Sequence, residues 1–216
     1  MRDWLGSPSR IELLRGGPRP IHMGRSLSLA TLNKQEFFAF LAYCDADIAA
    51  QVRARRCPYC RGPLHSAGWD RKPRGAICTL PAKCLRRHGL CCWHCRQRTL
   101  PPSCLFDGRR VFLRAAILLV VALRQTRPHA WSRSRIARDL GVTTRTIARW
   151  QRYFAECFPA SGAWQRLRGH VGAQVHDGQL PSALLEMLGG VGCRCVLEHA
   201  CRLLATGCAP PDRRDA

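Results

Sequence analysis

Long apolar runs and acidic side chains are what this sequence has least of. The longest uninterrupted apolar stretch, Ala115 to Leu123, is nine residues long and lies between Arg114 and Arg124. A membrane span needs about 20, so a transmembrane protein is excluded. The stretch from Met1 to Ala30 lacks the continuous apolar core of about 7–15 residues that a cleavable signal uses. Residues 1–32, with Gly16-Gly17-Pro18-Arg19-Pro20 among them, are expected to form a disordered tail. Acids number 14 against 35 Lys plus Arg, giving a formal charge of +21, and only three of those cations are lysine.

The scarcity of acid is local. Residues 53–152 hold 23 basic residues against Asp70, Asp107 and Asp139, a net of +20, whereas the segments on either side are nearly neutral. With 216 residues, 46% of them hydrophobic, the chain can fold as one modest domain or two small ones. So much positive charge in a foldable segment calls for a polyanion, and nucleic acid is the usual one. The plainer alternative is a solvated basic surface in an arginine-rich protein.

Without a secretion signal, fourteen cysteines point to metal or redox chemistry in a reducing compartment rather than to a disulfide scaffold. Two Cys-x-x-Cys pairs stand out, Cys57-Pro58-Tyr59-Cys60 and Cys92-Trp93-His94-Cys95, with 31 residues between them. This spacing lets the backbone turn so that two sulfurs converge, and two such turns supply the tetrahedral set of one structural Zn²⁺. The predicted ligands are Cys57, Cys60, Cys92 and Cys95, in a zinc ribbon over residues 57–104. Cys91 stands as an alternative to Cys92, and Cys78, Cys84, His65, His88 and His94 leave a second zinc open. No thioredoxin-like βαβ pattern surrounds either pair, which disfavours a redox role. Cys193-Arg194-Cys195 fits no common knuckle spacing and is left unassigned.

Ahead of the ribbon, Asn33 and Glu36 have the form of a capping box. Phe37, Phe40, Leu41, Cys44, Ile48 and Val52 follow at helical spacing, predicting an amphipathic helix over 33–56. Behind the ribbon, Val111 to Leu123 is apolar nearly all round and predicts a buried helix ended by Arg127-Pro128. Residues 133–152 then fit a helix-turn-helix register. Ala137 is small where two helices cross, Gly141 makes the turn, and Ile136, Leu140, Val142, Ile147 and Trp150 face inward. Thr143 or Thr144 caps the second helix. The exposed face is Arg145, Arg149 and Arg152, a pattern that a bare helical hairpin does not explain.

In this motif the second helix enters the major groove, where an arginine fork pairs with guanine O6 and N7. The candidate DNA contacts are Arg133, Arg135, Thr143, Thr144, Arg145, Thr146, Arg149 and Arg152, each with a phosphate contact as its alternative. The expected fold class is mainly α with a small β ribbon. An N-terminal helix and a zinc-binding module precede a tri-helical, homeodomain-like helix-turn-helix domain over 107–156. A short helical extension covers 157–190, and residues 191–216 are expected to be largely disordered.

Taken in order, the helix, the Cys57-Pro58-Tyr59-Cys60 knuckle, the turn Arg71-Lys72-Pro73-Arg74-Gly75, the second cysteine cluster, Arg98-Thr99-Leu100-Pro101-Pro102-Ser103 and the helix-turn-helix form a pattern over residues 33–188. It resembles bacterial zinc-ribbon/helix-turn-helix proteins related to, or encoded beside, insertion-element transposases. The resemblance implies a sequence-specific DNA-binding protein of a mobile genetic element, cytoplasmic and nucleoid-associated. Its partners would be double-stranded DNA, a separate transposase and a second copy of the chain. The alternative readings are a transcriptional regulator and a compact transposase or nuclease. Metal-dependent strand transfer needs acids around two metal ions, and the three acids of residues 53–152 and the 64 residues after Arg152 are poorly suited to supply them. No catalytic residue is therefore assigned.

Overall fold

The computed structural model describes residues 28–107, 112–169, 171, 175–190 and 195–206. Within them lie seven α-helices and two small antiparallel sheets, so the protein is mainly helical with a minor β component. A 3-10 turn at Leu29–Asn33 leads into α1, Gln35–Ala54. Leu29 and Leu32 are buried, so the end of the expected tail belongs to the core. The expected capping box is not made. Ser28 caps the 3-10 turn by accepting from the Ala30 N–H, and Lys34 sits at the α1 N-cap without a side-chain bond. The inward face of α1 is Phe37, Phe38, Leu41, Ala42, Asp45 and Ala49, while Phe40 is exposed. Of the expected stripe, Phe37 and Leu41 are buried and Cys44, Ile48 and Val52 pack partly buried against the cores, while a 3-10 turn at Ala82–Cys84 and a helix near the C-terminus cover a wider face.

After α1 come β1 (Leu64–Ser66), β2 (Trp69–Asp70), β3 (Arg86–Arg87), β4 (Leu90–Cys92) and β5 (Arg98–Thr99). One sheet has the order β1-β4-β5, and β2 pairs with β3 in the other. Leu64, Leu90, Cys92 and Cys57 form a small core of their own, with Val52 and Cys95 at its edge. The long interval between the cysteine pairs folds back onto the helices. Leu113 N–H donates to Arg74 O (3.0 Å), Ile77 N–H to Leu32 O (3.2 Å), and the Gln35 amide to Thr79 O (3.0 Å). Gly75, at φ +100, is required here, since a Cβ on it would lie 2.8 Å from Ala116 Cβ.

The helix from Arg114 to Thr126, α2, buries every residue from Ala115 to Leu123, as its all-round apolar sequence requires. It packs against α4 (Thr144–Arg152), α6 (Ser182–Gly190) and α7 (Val196–Thr206), while α3 (Arg133–Asp139) packs on α4. A π-helical turn, Tyr153–Cys157, continues α4, and α5 spans Gly162–Arg168. Part of the segment expected to be disordered over 191–216 is thus a core helix. Val196, Leu197, Ala200, Cys201, Leu204 and Ala205 of α7 form a helical apolar stripe that α1, α2 and α6 cover. One core runs from Leu29 to Ala205.

A buried carboxylate joins the ribbon to this core. Asp45 of α1 is only 1% exposed. It accepts from the Ser103 hydroxyl and the Cys104 backbone N–H, and Ser103 Oγ in turn accepts from the Phe106 N–H (2.9 Å). Arg87 of β3, 2% exposed, donates to Pro101 O (2.7 Å) and His88 O (3.1 Å). Burial raises the Asp45 carboxyl above its ordinary range, against the opposing pull of these donors and of the Arg87 charge. Burial likewise brings Arg87 down to about 10, still cationic at neutral pH.

Removing the carboxylate strands the Ser103 hydroxyl and the Cys104 N–H. Asp45→Ala should cost about 1–3 kcal/mol in urea unfolding, whereas a change at exposed Asp47 should cost under about 0.5 kcal/mol. The folded state holds the Asp45 proton more tightly than the unfolded chain does. Wild-type stability relative to Asp45→Asn should therefore rise as pH falls through the folded-state pKa. A pH-independent difference between the two would contradict this account.

Candidate metal centre and basic helix face

The chain leaves α1 through Arg56, at φ 64, and enters a tight turn. Cys57 N–H donates to Gly62 O and Arg61 N–H to Cys57 O, both at 2.9 Å. The second pair repeats the pattern, with Cys92 N–H to Gln97 O (3.0 Å) and Arg96 N–H to Cys92 O (3.2 Å). The β1–β4 register places Leu64 opposite Cys92, which sets the two turns side by side. The sulfurs of Cys57, Cys60, Cys92 and Cys95 all lie within 4.8 Å of one another, a set able to hold one metal ion. Cys57–Cys95 is 3.6 Å and Cys60–Cys92 is 3.4 Å, well beyond a disulfide's S–S bond of about 2.0 Å. Gly62 permits this closeness, because a Cβ there would lie 2.8 Å from His94 Nδ1 and 3.1 Å from Cys92 Sγ.

The four thiols do not ionise alike. Burial opposes a thiolate at Cys92, but the backbone N–H groups of Cys95 and His94 and the Cys60 thiol outweigh it and bring Cys92 down to about 6. At Cys95 the Gln97 N–H favours ionisation, yet burial and the bonds to Cys60, Cys57 and Cys92 push the thiol up to about 12. Deprotonating all four needs a cation among them. Cys92, not Cys91, belongs to the set. Cys91 Sγ points away and donates to Cys92 O (3.7 Å) and Arg96 O (3.6 Å). Among the described residues no second group of three or more potential ligands occurs, and Cys78, Cys84, His65, His88 and His94 do not gather.

The basic helix is positioned from α2. Arg124 Nη1 donates to Pro128 O and to Trp131 O (2.8 Å), holding the loop that precedes α3. Ser132 caps α3 by accepting from the Arg135 N–H (3.3 Å). Gly141, at φ +59, makes the turn, and Val142 N–H returns to Ala137 O (2.9 Å). Thr143 caps α4, its Oγ1 accepting from the Thr146 N–H (3.1 Å). Ile147 and Trp150 point inward, with the Trp150 ring edge-on to Phe112 at 5.3 Å. Arg145, Arg149 and Arg152 are exposed and make no salt bridge among the described residues.

The other candidate contacts divide. Thr143 and Thr144 are exposed at the start of α4. Arg133 Nε donates to Gln151 Oε1 (3.0 Å), tying the first turn of α3 to the end of α4, and Arg135 lies over the Trp131 ring at 5.2 Å. Thr146 was expected at the surface but is 7% exposed, its hydroxyl 3.0 Å from that of Thr143. It completes the cap from inside, so its place on a contact surface is withdrawn. Sequence reasoning passed over Arg124 and Ser132, although Ser132 stands just ahead of a helix in the usual capping position.

Compared with models of known protein families, with curated proteins and with solved structures, the chain matches none. Function therefore has to be argued from this geometry.

Metal analysis of the purified protein should give about one ion per chain, lost in Cys60→Ser and retained in Cys91→Ser. Equal loss in both variants would overturn the ligand set.

Proposed function

We propose that this protein binds double-stranded DNA through α3, the Gly141 turn and α4 acting as a helix-turn-helix, with a structural Zn²⁺ bracing the adjoining ribbon. The observation that carries the reading is the division of α4 into two faces. Ile147 and Trp150 anchor one face in the core, while Arg145, Arg149 and Arg152 leave the other cationic and without salt bridges among the described residues. Over the seven residue steps from Arg145 to Arg152 the helix advances about 10 Å, close to three base-pair steps of about 3.4 Å. Arg145 and Arg149, nearest the N-terminal half, are assigned to base edges, and Arg152 to phosphate. Arg133 and Arg135, on the first helix of the motif, suit the backbone that this helix crosses.

Zinc is assigned from the donor set. Four thiolates at a Zn–S distance of about 2.3 Å form a tetrahedron with edges of about 3.8 Å, and the measured contacts of 3.4 and 3.6 Å are near that value. The bound site carries a formal charge of −2, which nearby Arg55, Arg56, Arg61, Arg96 and Arg98 offset. The resemblance drawn from sequence places such a protein in a mobile genetic element. There it would bind element DNA for a separate transposase and have no catalytic role of its own.

Selection from a random duplex pool should enrich one motif. With roughly 6–8 phosphate contacts, log K should fall against log[salt] at a slope of about −0.9 per contact. Arg145→Ala should cost about 1–3 kcal/mol and relax preference at one base pair. Equal loss on every sequence would make Arg145 a phosphate contact, and a pool without enrichment would defeat the sequence-specific reading.

A further inference from the structure

The outer face of the β1-β4-β5 sheet has no part in the reading above. Alternation along the strands turns Leu64, Leu90 and Cys92 inward. The cross-strand row His65, Cys91, Arg98 faces the other way. Just beyond β4 on that side, Trp93 is held by its N–H to Pro63 O (3.1 Å). Its ring lies 5.6 Å from His65 and carries the Arg96 guanidinium at 5.1 Å, yet it remains 60% exposed with both neighbours in place. The first knuckle offers a counterpart, with Tyr59 58% exposed.

The backbone adds a second observation. Immediately after the second cysteine of each knuckle stands an arginine in the left-handed region, Arg61 at φ 60 and Arg96 at φ 58. Glycine is the low-strain residue for that conformation. Each knuckle instead carries an arginine in that conformation, and at the second knuckle it lies over the exposed Trp93 ring. The surroundings are cationic. From Ile48 to Phe106 the only acid is Asp70, which pairs with Arg86 on the other sheet (3.7 Å).

We infer that the two metal knuckles form a binding site for unpaired DNA, with bases stacking on Trp93 and Tyr59 and phosphates held by Arg96, Arg61 and Arg98. Flat apolar groups strung on a regular run of negative charge are what such a surface complements. The choice of DNA over RNA rests on the duplex reading of α4, since a strand frayed from that duplex would come from the same molecule. The stacking chemistry itself does not depend on that reading.

The test uses the metal-loaded full chain and a labelled oligodeoxythymidylate about 12 nucleotides long, followed by fluorescence anisotropy. Wild type should bind it, and Trp93→Ala should raise Kd about tenfold or more. Arg96→Gly is the decisive variant. Glycine relieves the strained backbone, so Tm should hold or rise, while affinity for the oligonucleotide falls several-fold. Arg145→Ala should leave single-strand binding unchanged while weakening duplex binding, so the two sites fail separately. Oligonucleotide binding unaffected by both Trp93→Ala and Arg96→Gly would overturn the site. Equal displacement by polyglutamate would reduce it to bare charge, and tighter binding of oligouridylate would overturn the assignment to DNA.

Discussion

The closeness of four sulfurs is the constraint on which the rest of the molecule depends. Cys57 and Cys60 follow directly on α1, and Cys92 and Cys95 bracket the end of β4. Bringing them within 4.8 Å closes a loop of 31 residues, and closing a loop of that length is entropically costly unless something holds its ends. Only a small core of Cys57, Leu64, Leu90 and Cys92 lies beneath the site. So few apolar groups cannot fix a module by themselves. A cation held by these four sulfurs would supply what this core lacks, because a structural metal contributes folding free energy directly. The same closure dictates the backbone at Arg61 and Arg96, and with it the directions in which those arginines point.

The ribbon's position relative to the basic helix follows from contacts remote from the metal. The closed loop lies along α2, with Gly75 against Ala116 and the Leu113 N–H bonded to Arg74 O. At the other end, Asp45 gathers Ser103 and Cys104, so α1 grips the chain as it leaves β5 for α2. Because α2 also supports α4, the loop between the knuckles and the arginine helix share one core, while the knuckles keep a small core of their own.

Local features were legible in the sequence, and features that depend on distant partners were not. The Cys-x-x-Cys spacing specified the ligand set because it encodes a turn, and the apolar run of α2 encoded full burial. Gly141 and Thr143 could be read because a left-handed turn and a helix cap are chosen by single residues. The inward face of α1 was legible except at its edge, where Phe38 rather than Phe40 is buried, since periodicity fits both and only the neighbours decide. Asp45 looked like an ordinary surface acid on a helix, because its partners lie some 58 residues away. The α7 stripe was hidden among cysteines and glycines near the end of the chain, and Thr146 was expected at the surface because its bonds to the Thr143 cap could not be read while the cap stood between Thr143 and Thr144.

The distribution of charge links stability to function. Ion pairs such as Arg86–Asp70 and Arg168–Asp177 lie at the surface, where each is worth about 0–1 kcal/mol. They cannot balance a net of +20 carried by residues 53–152. The folded protein therefore holds together against its own repulsion by the apolar core around α2. In the function proposed above, a polyanion laid across the α4 face and the knuckles would remove that repulsion as it bound, so the free energy of association would include its relief. Under that proposal the exposed arginines would be costly to the isolated fold and offset only in the complex.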